Sequence, residues 1–181
     1  MVINKFLLIV TFSSVSLFSQ ATLNGDFGYK LGDILVPKNL KITDTNDYYT
    51  CYKIKHKSIG DLTNFKVCTA THGKKIIRHI VAESKMLKSS SVCREKQSEL
   101  AVAIKNKYGD DSSRFGRVRD GDRELGIDCS NKYNANHTRL LGHKLEYEIS
   151  DSSLVKDSIK AYKEAKRKKA SSGAASKYSE L

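Results

Sequence analysis

Four cysteines constrain the fold of this chain more than any other feature of its sequence. Cys51, Cys68, Cys93 and Cys129 all follow a leader typical of exported proteins, and an oxidising compartment favours disulfides over free thiols. An even number of cysteines predicts two bridges, although the count alone allows three pairings. The wide gaps argue against zinc, because Cys68 and His72 form the only close pair of zinc-ligand types.

The leader covers residues 1–21. Lys5 precedes an apolar run over 6–18 that is too short to span a bilayer, and small residues follow it. We predict cleavage after Ala21, no transmembrane segment in the mature chain, and a periplasmic or secreted location. Removing 21 of 181 residues leaves 160, enough for one domain with a hydrophobic core, which we place at 22–165.

Positive charge is the main feature of the mature composition. Lys5 is the one charged residue of the leader, so the formal net charge of +12 becomes +11 after cleavage. Such a charge attracts nucleic acid, anionic lipids and acidic polymers, although it also serves solubility.

The cations concentrate near the carboxyl end. Six of them form the candidate anion-binding site: Lys160, Lys163, Lys166, Arg167, Lys168 and Lys169. The alternative is a solvated helix end, where cations are favoured by the helix dipole. Over 166–181 we expect a basic helix end and then, from Ser171, a disordered tail, because this stretch holds little apolar area.

Strand-like runs dominate the mature chain. They are rich in β-branched, aromatic or alternating residues and lie at 47–54, 65–70, 76–83, 114–119, 123–129 and 143–149. The first three have short links and predict an antiparallel meander. Asp120-Gly121 predicts a tight hairpin turn between the two runs that flank it.

Two segments carry apolar residues at helical spacing. One covers 91–108 and ends before Gly109, and the other begins at the cap candidates Ser150 and Asp151. We summarise the order as β-β-β-α-β-β-α, an α+β fold with helices on one face of an antiparallel sheet.

These elements select one disulfide pairing. Cys93 shares a helical face with apolar residues, and Cys129 shares a strand face with apolar residues, so both thiols point into one core. Cys51 and Cys68 lie in adjacent strands of the first hairpin, where facing residues come within disulfide distance. We therefore predict the bridges Cys93–Cys129 and Cys51–Cys68.

Catalytic motifs are absent from the sequence: it has no nucleophile elbow, zinc helix, phosphate loop or Cys-x-x-Cys pair. A small basic ribonuclease would need His79, Glu83 and His143 to converge on a phosphate beside Arg78. Plain polar strand residues are the alternative. The acidic positions of 120–124 are better explained by a hairpin turn than by a calcium loop, because arginines interrupt them. We expect no cofactor and no metal.

Short motifs recur along the mature chain. They are Phe27-Gly28-x-x-Leu31-Gly32, a helix from Cys93 to Lys107-Tyr108-Gly109, a strand ending at Cys129, and Leu145-x-Tyr147 before Leu154. In these motifs the chain resembles uncharacterised small exported proteins of Gram-negative bacteria, from which its basic tail departs. The resemblance implies a periplasmic or secreted α+β domain and supplies no catalytic residues.

Two hypotheses follow for function. The favoured one is an exported, monomeric, disulfide-bonded domain that binds a protein or an anionic envelope component without catalysis. The alternative is a small secreted basic hydrolase or toxin such as a ribonuclease. Convergence of His79, Glu83 and His143 in a cleft would favour the hydrolase, and their scatter would favour the binding domain.

Overall fold

The computed structural model describes residues 22–109 and 116–178. The predicted leader lies outside the described residues, as does the start of the predicted strand at 114–119. The strands are β1 Gly25–Asp26, β2 Tyr29–Lys30, β3 Lys41–Thr45, β4 Tyr49–Ile54, β5 Leu62–Ala70, β6 Ile77–Ser84, β7 Val118–Asp120, β8 Arg123–Tyr133 and β9 Leu140–Asp151. The helices are α1 Ser90–Tyr108 and α2 Ser152–Tyr178.

Seven strands form one antiparallel sheet in the order β3-β4-β5-β6-β9-β8-β7. The predicted α+β class and antiparallel sheet are confirmed. The predicted order has five strands, two fewer than this sheet, because the structure has three strands between the helices and an additional edge strand, β3, before the meander. β1 and β2 form a separate two-stranded sheet that the order also lacks. β9 lies between β6 and β8, so the last strand of the chain joins the two halves of the sheet.

The hydrophobic core covers one face of this sheet, which we call the core face. Alternate residues of the central strands are fully buried there, among them Val67, Ile80, Ile127 and Ile149. α1 covers part of this face with its own buried residues, Cys93, Ile104 and Tyr108. The segment before β3 covers another part and contributes Leu23, Phe27, Leu31 and Leu35. The irregular amino-terminal stretch is therefore an integral part of the core.

Local capping explains where the helices begin and end. The Ser89 hydroxyl accepts a hydrogen bond from the Ser91 amide at 3.2 Å, and Gly109 ends α1 with a φ of 94°. The Asp151 carboxylate accepts from the amides of Ser153 and Leu154 at the start of α2. α2 then continues to Tyr178, through part of the segment for which the sequence predicted disorder from Ser171. Its alanines and lysines are strong helix formers.

Both predicted disulfides are confirmed. Cys51 faces Cys68 across β4 and β5 with a Cα–Cα distance of 4.0 Å. Cys93 of α1 joins Cys129 of β8 with a Cα–Cα distance of 6.0 Å. Since Cys68 is bridged, it is unavailable as the zinc ligand considered with His72.

β3 forms one edge of the sheet and is exposed along its whole length. Its register against β4 shifts between Ile42 and Asp44, which marks a β-bulge. Lys41, at the start of the strand, pairs in register with Lys53 of β4.

Candidate functional site

The sheet face opposite the core, which we call the open face, carries polar side chains at alternate positions. Side chains alternate between the two faces along a strand. Val67 and Ile80 are buried on the core face, so Lys66, His79 and Glu83 lie on the open face. On β9 the same alternation places Lys144, Glu146 and Glu148 on the open face.

An open cavity of about 390 Å³ lies on this face. Its lining comes from β3, β4, β5, β6 and β9 and combines titratable groups with an exposed ring and the first disulfide. The lining residues are Asp44, Tyr49, Cys51, Lys66, Cys68, His79, Val81, Glu83, Glu146 and Glu148. We call it the open-face cavity.

Glu83 is the most strongly held carboxylate of the cavity. It accepts hydrogen bonds from Lys66 Nζ at 2.8 Å, from Lys144 Nζ at 2.9 Å and from Asn64 Nδ2 at 3.0 Å. Burial alone would raise the pKa of Glu83, but these bonds and the charge of the Lys66 ammonium lower it to about 2. Glu83 is therefore ionised at every physiological pH and cannot act as a proton donor.

Lys66 links this carboxylate to the edge strand. Its Nζ lies 3.0 Å from Asp44 Oδ2 of β3. Burial opposes the charge of Lys66, yet its bonds to Glu83 and Asp44 raise the pKa of the ammonium. Lys66 is therefore a permanent cation in the lining.

His79 and Glu148 form a second pair in the cavity. His79 Nδ1 lies 2.5 Å from Glu148 Oε1, across the neighbouring strands β6 and β9. The hydrogen bond with His79 lowers the pKa of Glu148. The Tyr49 ring lies beside His79, with 6.1 Å between ring centroids. An imidazole held by a carboxylate at an accessible cavity is a group that can give and take protons.

The residues of the nuclease hypothesis divide between the two faces of the sheet. His79 and Glu83 both line the open-face cavity. His143 and Arg78 are buried elsewhere: His143 Nδ1 lies 2.9 Å from Asn131 Oδ1, and Arg78 donates to the Leu154 carbonyl. His143 and Arg78 therefore do not line the cavity that contains His79 and Glu83. His143 shares the alternation of the buried residues of β9, so the pattern already placed it on the apolar face.

Sequence reasoning did not select Glu148 as a site residue. The alternation of 143–149 put it on the solvated side of a strand, but nothing local showed that His79 would lie beside it. The two residues are 69 positions apart, and their contact depends on β9 entering the sheet next to β6.

The Asp120-Gly121 turn joins β7 to β8 as a hairpin, and Gly121 has a φ of 60°. Its carboxylates bind other parts of the chain: Asp120 accepts from the Leu23 amide and Asp122 from the Ser152 hydroxyl. Within residues 22–109 and 116–178, no group of three or more metal-ligating side chains is arranged to hold a metal ion.

The second candidate surface is a row of cations on α2. Lys156, Lys160, Lys163 and Arg167 follow at spacings of four, three and four residues and are all exposed, so they lie on one side of the helix. We call them the basic stripe. The less exposed positions Leu154, Ser158, Ala161 and Ala165 repeat the same spacing two residues earlier, on the opposite side.

Aromatic contacts hold the middle of α2 against the sheet. The Tyr162 hydroxyl donates to Asp47 at 2.9 Å, and its ring packs on Tyr48 at 5.1 Å between centroids. Beyond this anchor, Lys166, Lys168 and Lys169 are exposed as well. The structure thus places the predicted anion-binding residues on solvent-facing helix, and it adds Lys156 to the row.

Comparisons with protein families, curated proteins and solved structures find no match to this chain. No helix among the described residues has the length and apolar character needed to cross a membrane.

Proposed function

We propose that the protein is exported and binds an anionic polymer through the basic stripe of α2. The observation that carries the proposal is the alignment of four cations on the side of the helix opposite its packed side. Neighbours along the stripe have Cβ atoms roughly 5–6 Å apart. The whole row extends for about 16 Å along the helix.

The geometry of this row supports polymer binding over general solubility. A helix that only needed to be soluble could carry its cations at any exposed position. Here the row is straight, and Asp157 and Glu164 lie to one side of it. A row of ammonium and guanidinium groups suits a chain of repeated negative charges, whose bound counterions are released on association.

Export is supported by the leader and the two disulfides. Its test is the mass of the protein recovered from its natural source. We expect a mature chain that begins at Thr22 with all four cysteines oxidised. A chain that retains Met1 and has four titratable thiols would contradict export.

The test of binding uses fluorescent oligo-dT at increasing salt. A variant with Lys156, Lys160, Lys163 and Arg167 replaced by Gln is compared with the native protein. The logarithm of the affinity falls with the logarithm of salt by roughly 0.7 for each phosphate contact to a single strand. Loss of four contacts should therefore reduce the slope by about 3.

A matched control removes the same charge elsewhere. Lys38, Lys74, Lys85 and Lys88 are exposed and lie outside α2, and their replacement by Gln should leave most of the slope intact. Equal effects of the two variants would show that net charge alone attracts the polymer, and the proposed role of the stripe would be wrong.

A further inference from the structure

The open-face cavity combines an acid–base pair, a fixed cation and an exposed ring at one place. We propose that it is a catalytic site that cleaves RNA, with Glu148 as general base and His79 as general acid. This goes beyond polymer binding by α2, because it concerns a different surface and a chemical step.

Both members of the acid–base pair are accessible from solvent. The side chains of His79 and Glu148 are 21% and 47% exposed, so both can reach a ligand in the cavity. A second cavity of about 270 Å³ shares Glu146 and Glu148 as lining and continues to Arg117, whose guanidinium is paired with Glu124 and Asp128. The two together give a polymer a path across the open face.

The carboxylates that line the open-face cavity all have basic partners. The cavity contains four carboxylates, and each is paired with a basic side chain. Lys66 binds both Asp44 and Glu83, and Glu83 also binds Lys144. Glu146 is paired with Lys132, and Glu148 is paired with His79. Each carboxylate that a phosphodiester would meet in the cavity is therefore already paired, within a protein of net positive charge.

Lys66 provides the electrostatic component. An ammonium has three N–H donors, and Lys66 uses two of them for Asp44 and Glu83. The third remains for a ligand in the cavity that Lys66 lines. Asp44 and Glu83 hold the Lys66 ammonium in place. The ammonium would therefore stabilise negative charge that develops on a phosphate, and Lys66 would not have to move first.

The chemical step needs no co-reactant. The Glu148 carboxylate takes the proton of a ribose 2′-hydroxyl, and the 2′-oxygen forms a bond to the adjacent phosphorus. The bond from phosphorus to the 5′-oxygen breaks, and the His79 imidazolium gives its Nε2 proton to that oxygen. The products are a 2′,3′-cyclic phosphate and a 5′-hydroxyl end. Exchange of one proton with water at each group restores the starting state.

Tyr49 is placed to bind a base next to the scissile phosphate. It is 37% exposed and lies beside His79. Stacking of a nucleobase on an aromatic ring contributes about 1–3 kcal/mol and depends little on base identity. Cleavage should accordingly show weak sequence preference.

The experiment incubates the full-length protein with a fluorescent RNA oligonucleotide that contains a single ribose within a deoxyribose chain. We expect cleavage at the ribose, a cyclic phosphate in the product by mass spectrometry, and no cleavage of the all-deoxyribose chain. The rate should fall at low pH, where Glu148 is protonated. Each of the variants His79→Gln and Glu148→Gln should lose about 100-fold or more in rate.

Two control variants separate catalysis from folding and from contaminating nucleases. His72→Gln and Glu95→Gln change exposed groups outside both cavities of the open face, and they should retain the native rate when purified in parallel. Equal rates for His79→Gln and the native protein, a product with a 5′-phosphate, or no cleavage above background would each overturn the proposal. Because oligo-dT binding by the basic stripe is measured without cleavage, either proposal can fail while the other stands.

Discussion

Replacement of Glu83 by Gln should destabilise the fold at neutral pH and have little effect in acid. The Glu83 side chain is 9% exposed and bridges two lysines. Its pKa falls from 4.5 to about 2 on folding, and each pKa unit corresponds to about 1.36 kcal/mol. The bridged carboxylate thus contributes roughly 3 kcal/mol to the free energy of unfolding at neutral pH.

The pH dependence follows from the direction of this shift. A carboxylate whose pKa is lower in the folded state contributes stability above its unfolded pKa, and this contribution is lost as pH falls. The native protein should therefore lose about 3 kcal/mol between roughly pH 5.5 and pH 2 from this group, whereas Glu83→Gln has already lost it.

The assay is urea unfolding of both proteins at a series of pH values. We expect the difference between their free energies of unfolding to be largest at pH 7 and to approach zero near pH 2. Glu99→Gln, which changes an exposed residue of α1, should differ from the native protein by less than about 0.5 kcal/mol. A difference that stays constant from pH 7 to pH 3 would refute the reasoning.

Two further predictions concern cross-links and capping. Replacing Cys93 and Cys129 by Ala removes a bridge that closes 36 residues and should cost about 4 kcal/mol, against about 3 kcal/mol for the 17-residue Cys51–Cys68 bridge. Urea unfolding measures both, and no loss from either pair would contradict the chain-entropy account. Asp151→Ala removes the cap of α2 and should cost about 1 kcal/mol, whereas Asp151→Asn keeps an acceptor and should cost less. Thermal melting compares them, and equal losses would contradict the capping role.

Local patterns were enough to predict much of this fold. α1 was identified within one residue because its apolar spacing, its serine cap and Gly109 all agree. The hairpin of β4 and β5 and the alternation of β9 were equally clear, and the two disulfides followed from the faces that these elements present. Each of these inferences depends on residues that are close in sequence or on the direction of a single side chain.

The features that could not be predicted from the sequence depend on contacts between residues far apart in the chain. β3 has β-branched residues at Ile42, Thr43 and Thr45 but is only five residues long, and its place at the edge of the sheet depends on its pairing with β4. The amino-terminal segment has the turns of an irregular stretch, yet Leu23 and Phe27 are part of the hydrophobic core. Glu148 became a partner of His79 only through the strand order, which no local signal determines.

The bulge in β3 affects how this protein behaves at high concentration. An exposed edge strand offers free backbone donors and acceptors to any other extended chain, and such edges seed aggregation. The extra residue after Ile42 breaks the regular spacing of those groups, and Lys41 brings a charge that a second copy would have to bury. The edge is thereby a poor template for fibril growth.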